Sequence, residues 1–163
     1  MGVTRYNHNV ETSESHFPKI CSTHSFGDRV KTIEVLKERG FSICCGGIIG
    51  LGESPQQRLE LAFSLRQLRI DCIPFNILNP RPGTPLEHSE PIPPMEIIKT
   101  IALFRLVIPR GTIKIAGGRE VVEALHEDRP VLIGQSVEKA GISCSIKQPA
   151  QLMEFQHVHK HEM

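Results

Sequence analysis

The stretch FSICCGGIIGLGE (Phe41–Glu53) decides the reading of this chain. Phe41 to Ile49 is a short apolar run without a charge, the pattern of a strand covered on both faces. Two adjacent cysteines sit inside it, Cys44 and Cys45, and side chains alternate along a strand, so the two cannot share a role. One of them is expected to face a barrel interior. Burial of free cysteine through packing alone remains the competing reading for this pair. The glycines that follow permit a close backbone approach to a ligand.

The same alternation of elements continues on either side. Thr23 to Gly40 carries helix punctuation: Ser25 and Asp28 can form a capping box, Phe26, Val30, Ile33 and Leu36 share a face, and Gly40 can end the helix. Downstream, Ser54 and Pro55 open a second helix through Leu59, Leu61, Ala62, Leu65 and Leu68. Asp71 to Leu78 reads as another buried strand, in which Pro74 implies an irregularity. A proline-rich loop from Asn79 to Pro85 precedes a helix from about Pro94 to Ile108, and Thr112 to Ala116 is a short strand. This alternation is the grammar of an α/β barrel. A complete eight-stranded barrel typically needs about 250 residues, and the chain has 163. The expectation is therefore a partial TIM-type (β/α) barrel over residues 1–121, followed by a divergent, partly disordered tail over 122–163.

Composition narrows the function classes. An apolar fraction of 39% and a charged fraction of 23% fit an ordinary globular protein. A net charge of +1 without a long basic run argues against nucleic acid as a partner. The amino terminus has no apolar signal core and no stretch is long enough to cross a membrane, so a cytoplasmic location without membrane contact is expected. The five cysteines, at 21, 44, 45, 72 and 144, lack C-x2-C spacing, and reduced thiols are the default. His157, His159 and His161 alternate near the carboxyl terminus and could capture a stray metal, but a frayed tail is the expected reading.

Barrel chemistry sits at the carboxyl ends of strands. Tyr6 to Thr12, YNHNVET, gathers amide, imidazole and carboxylate groups that could bind a polar cofactor, or form an Asx-rich turn. Asn76 is polar where Ile and Phe dominate, and either ligand contact or local capping would satisfy it. Lys114, between Ile113 and Ile115, points away from both; an inward lysine would need a partner.

Taken together, Tyr6-Asn7-His8-Asn9, CCGGIIGLGE (Cys44–Glu53), Asn76 followed by Gly83-Thr84-Pro85, and Gly117-Gly118-Arg119-Glu120 resemble biotin synthase in order and spacing. The Gly46-x-Ile48-x-Gly50-x-x-Glu53 pattern is similar to radical S-adenosylmethionine enzymes more generally. The resemblance implies an enzyme that uses S-adenosylmethionine, a [4Fe–4S] cluster and a [2Fe–2S] cluster to insert sulfur into dethiobiotin. By match to the family motifs it implies Asn9, Glu11 and Ile48 at the adenosylmethionine site, with Glu11 where an aspartate is common. It implies Asn7, Asn9 and Asn76 on the dethiobiotin side, and Cys44 as a [2Fe–2S] ligand. Lys114 stands where the family has an unusual arginine ligand, and lysine lacks the planar guanidinium.

The family's C-x3-C-x2-C signature for the [4Fe–4S] cluster is absent, as are the two other cysteine ligands of the sulfur-donor cluster, and no family pattern is legible after Glu120. A truncation or shifted reading frame is the expected explanation of both. Such a half barrel leaves open sheet edges, so it is expected to be inactive alone, and either to self-associate or to dock with a separate amino-terminal half. A non-catalytic half-barrel binding or scaffold protein is the alternative.

Overall fold

In the computed structural model, residues 2–118 and 143–144 are described. The elements run in the order β1 (Arg5–Asn7), α1 (Phe17–Ile20), α2 (Phe26–Glu38), β2 (Ser42–Cys44), β3 (Gly47–Ile49), α3 (Pro55–Gln67), β4 (Cys72–Ile77), α4 (Pro94–Val107), β5 (Thr112–Ile115) and β6 (Ser143–Cys144). The strands form one sheet in the order β1-β2-β4-β5-β6, with β3 also on β4, and every pairing is parallel. The architecture is a partial α/β barrel of parallel strands alternating with helices.

The helices start where local chemistry dictates. Both Ser25 and Ser54 form complete capping boxes, with Asp28 and Gln57 respectively, which satisfies amide donors left open in the first turn. Pro55 and Pro94 occupy first-turn positions, where the missing amide removes nothing. The helices pack on one face of the sheet in a single core: Phe26 and Ile33 of α2, Leu61 and Leu65 of α3, and Ile97, Ile101 and Phe104 of α4 join Ile43, Ile49, Ile73, Phe75, Ile77, Ile113 and Ile115 of the strands. At its centre the rings of Phe75 and Phe104 meet edge to face, 4.5 Å between centroids.

One difference from the sequence pattern concerns the strand expected over residues 41–49. It is interrupted at Cys45 and Gly46 into β2 and β3, although both halves pair β4 in one register, Cys44 opposite Cys72 and Gly47 opposite Phe75. Pro74 of β4 lies across the gap and has no amide to offer the ladder. The backbone closes in there instead: a Cβ on Gly46 would lie 1.9 Å from the Pro74 carbonyl oxygen. Two further strands, β1 and β6, were not legible in the sequence. They are three and two residues long, too short for alternation to register. All three residues of β1 are exposed, and among the described residues β1 pairs on one side only. The tail histidines at 157, 159 and 161 lie outside the described residues.

Gly46→Ala should therefore lower stability by about 3 kcal/mol or more, at the upper end of overpacking costs. Gly27→Ala is the control, since its nearest foreign atom would be Ser25 Oγ at 3.6 Å and a helical alanine is favoured over glycine by ~1 kcal/mol. Urea unfolding of the two variants should move the midpoint in opposite directions or leave Gly27→Ala unchanged.

Candidate functional site

Strand alternation sorts the polar residues onto the sheet face away from the helices. With Ile43, Ile73, Phe75, Ile77, Ile113 and Ile115 committed to the core, the intervening Cys44, Cys72, Pro74, Asn76, Thr112 and Lys114 point the other way. The parallel register extends this face: Asn7 lies opposite Cys44, and Ile48 opposite Asn76. Asn7, Cys44, Ile48, Asn76 and Lys114, drawn from four separate sequence segments, thus share one surface.

Asn9 and Glu11 reach the same surface by another route. At the gap between β2 and β3, Asn9 Oδ1 accepts the Gly46 amide at 3.1 Å, and the Gly46 carbonyl accepts from the amides of Val10 and Glu11 at 3.1 and 3.3 Å. Glu11 closes the exchange by accepting the Ile48 amide at 2.8 Å through its own carbonyl. To do so it takes a left-handed backbone, φ 67°, a conformation that costs a side-chain-bearing residue about 1–2 kcal/mol. The asparagine is therefore not a free Asx turn: its oxygen is spent on the strand gap, and its NH2 donates toward the Glu11 carboxylate with a second hydrogen left.

Burial raises the Glu11 carboxyl above its ordinary value, with Arg29 and a hydrogen bond from Asn9 opposing the shift. Arg29 stands 3.7 Å from the Glu11 carboxylate and donates to the Asn9 carbonyl at 2.8 Å. Arg29 is a site residue that the sequence did not signal. It sits on the polar side of α2, and nothing local marks a contact made twenty residues away.

Asn76 also has a backbone partner, because its Oδ1 accepts the Gly117 amide at 3.1 Å. Its capping role is thereby real, and its NH2 donors remain for a ligand. Gly118 is held at φ 77° against β4, where a Cβ would lie 1.8 Å from the Ile77 carbonyl oxygen. The glycine pair thus lets the chain leaving β5 close over the end of β4.

The glycine-rich turn after β3 is held by a buried carboxylate. Glu53 Oε1 accepts the Gly50 amide at 2.9 Å and the Arg58 Nε at 2.8 Å, and Arg58 continues to Glu96 of α4 at 3.5 Å. The motif glutamate is thus a brace for the turn.

The cysteines divide sharply. Cys45 is fully buried in the helix-side core, and burial pushes its thiol up to about 12. Cys44 lies on the opposite face beside Cys72. Burial, together with the hydrogen-bonding contact to Cys44, pushes the Cys72 thiol up to about 11, while Lys114 and Arg5 act in the other direction. Cys72 was not singled out from the sequence, because its place opposite Cys44 is set by the register between two strands. Cys21 is different again: it is only partly buried, and with hydrogen bonds from Thr23 foremost its thiol is lowered. Among the described residues no group of three or more His, Cys, Asp or Glu side chains could hold a metal ion, and no helix is long and apolar enough to cross a membrane.

The comparisons with known proteins fall on the same segments. Residues 1–65 match the radical SAM superfamily, and residues 74–142 match the biotin and thiamin synthesis associated domain. The second match runs past Glu120, into the stretch where no family pattern was legible. The biotin synthase of Maridesulfovibrio salexigens is 53% identical over 125 residues, 77% of this chain and 38% of that protein. The biotin synthase of Clostridium botulinum strain Loch Maree is 48% identical over 145 residues, 89% of this chain and 43% of that protein. The chain therefore spans about two fifths of the length of these curated relatives. The crystal structure of methylornithine synthase superposes with a TM-score of 0.65 at 20% identity, covering 85% of this chain and 39% of that one, and supports the barrel fold.

Two predictions follow from the titrating groups. Because its folded value is raised, Glu11 contributes stability that is fully present below its ordinary value of 4.5 and is lost as pH rises through the folded value. Glu11→Gln, which cannot ionise, should melt at or above the wild-type temperature near neutral pH, and that gap should close in acid. Second, limiting iodoacetamide near neutral pH should label Cys21 well before Cys72 or Cys45, as read by peptide mass spectrometry, since the thiolate is the nucleophile. About half-identity over most of its length, matches to both domain models and the parallel barrel sheet together make this chain a homologue of biotin synthases over less than half of their length.

Proposed function

We propose that this chain supplies the carboxy-terminal part of a biotin synthase site, which acts on dethiobiotin once the remainder of the barrel is present. The observation that carries the reading is the shared face of Asn7, Cys44, Ile48, Asn76 and Lys114, with Asn9 and Glu11 fastened to its edge through Gly46. These are the positions matched to the family motifs, and the register brings them together without reference to those motifs.

The residues present suit some of the expected groups and not others. Cys44 offers a thiol on the open face, as a [2Fe–2S] cluster requires. The Glu11 carboxylate and the Asn9 NH2 group offer an acceptor and a donor for ribose hydroxyls of S-adenosylmethionine, and Ile48 lends an apolar wall beside them. Asn76 and Asn7 offer amides to the ureido ring of dethiobiotin. When bound, the cofactors supply radical cleavage of S-adenosylmethionine and sulfur for the product ring. The protein's own part is positioning and exclusion of water. Asn76 is fixed for this by Gly117, and Asn9 by Gly46. The residues do not suit the [4Fe–4S] cluster, since the 163 residues contain no C-x3-C-x2-C run. Its ligands would come from an amino-terminal half, whose docking the exposed edge of β1 would accept.

Anaerobic reconstitution with iron and sulfide tests the reading, with bound iron, bound sulfide and visible absorbance measured for the chain alone and with a family amino-terminal half. Cluster formation that requires the half, and that loses the sulfur-donor cluster in Cys44→Ala, is the expected result. Equal iron and an unchanged spectrum in Cys44→Ala would remove Cys44 from the site and the reading with it.

A further inference from the structure

We propose that Cys44 and Cys72 form one two-thiolate site for a thiophilic metal ion, which under the function proposed above is an iron of the sulfur-donor cluster. The inference deepens that reading, in which Cys44 was the sole ligand from this chain. It rests first on register. Cys44 and Cys72 are the residue pair that joins β2 to β4, and neighbouring strands lie about 4.8 Å apart. Both residues alternate with core residues, Ile43 and Cys45 on one strand and Ile73 on the other, so both thiols emerge on the open face. The Cys44 thiol is close enough there to act on the titration of Cys72.

Burial disfavours thiolates here, and two nearby cations offset part of that cost. Lys114 of β5 and Arg5 of β1 both act on Cys72 as nearby positive charges, and they come from the strands on either side of the pair. Two sulfur ligands lost from water would be costly without such counter-charges. Cys44 and Cys72 are 8% and 5% exposed, so a bound ion would be shielded from bulk water on the protein side. Soft thiolates select iron–sulfur centres, zinc or copper(I) over hard cations. Lys114, with its point charge, cannot chelate as a guanidinium does; Cys72 provides a second ligand one strand away.

Binding is balanced as one divalent ion displacing two thiol protons, with two metal–sulfur bonds formed and no change in oxidation state. The same spacing would admit a disulfide under oxidising conditions, so the test is anaerobic with the thiols kept reduced.

Cadmium(II) is the probe, because cadmium NMR counts thiolate ligands through the chemical shift and needs no enzymatic activity. The reduced full-length chain should take up one equivalent and give a signal shifted by two sulfurs. Cys72→Ser and Cys44→Ser should each move that signal to the one-sulfur position and weaken binding at least tenfold, whereas Cys21→Ser should leave it unchanged. Cys72→Ala serves as a second variant, with circular dichroism to confirm the fold of each. A two-sulfur signal that survives in both folded Cys72 variants would overturn the proposal. Reconstitution with iron and sulfide then separates the two levels: a chain that shows the cadmium pair but forms no Cys44-dependent cluster with the amino-terminal half retains this site and loses the function proposed above.

Discussion

The exchange between Gly46 and the segment Asn9–Glu11 is the interaction on which the site depends. A proline in β4 deprives the neighbouring strand of a ladder donor, and the backbone responds by closing to a distance that only glycine tolerates. The amide and carbonyl of Gly46 then need partners, because buried backbone groups left open cost about as much as a lost hydrogen bond. The Asn9 side chain and the amides of Val10 and Glu11 provide them. A defect in the sheet thereby orients a side-chain amide and a carboxylate at the rim of the open face. The left-handed backbone at Glu11 is the local cost, and strain of this kind persists only where surrounding contacts over-determine it.

A second constraint keeps the turn after β3 from relaxing. Glu53 is 7% exposed, and a buried carboxylate requires a partner of opposite charge as well as hydrogen bonds. Arg58 and the Gly50 amide supply both at Oε1, while Oε2 is buried without a hydrogen-bond partner among the described residues. Because Arg58 also reaches Glu96, the turn, α3 and α4 share one charge network. Such a network adds little net stability over an apolar replacement, but removing one member leaves an uncompensated buried charge. Its value here is geometric: Ile48 and the backbone of the turn are held against the end of β4.

Much of this was legible before any coordinates. The capping serines, the long helices and the strands around Cys44, Asn76 and Lys114 all stood out, because period and punctuation are local signals. What escaped is non-local. The break at Cys45 and Gly46 needs Pro74 across the sheet, which no window on residues 41–49 contains. Arg29 enters the site from a helix face that reads as ordinary solvated charge. Asn76 had two open readings, capping and ligand contact, and Gly117 resolves only its oxygen. β1 and β6 are too short to carry a period, so their existence rests on pairing with strands that do.

Cys44 and Cys45 show how finely the arrangement depends on register. The two are chemically identical and adjacent, yet Cys45 is sealed among apolar side chains that penalise its thiolate, while Cys44 stands on the face with Cys72, Lys114 and Arg5. A shift of β2 by one residue would exchange them, placing Ile43 on the open face and a ligand-type thiol in the core. Ile43 opposes that shift, since it is almost fully buried in the helix-side core and leaving a gap there would cost packing. The apolar side of the sheet thus fixes the chemistry of the polar side. Any change that loosened helix packing on β2 would degrade the thiol pair before it touched a sulfur atom.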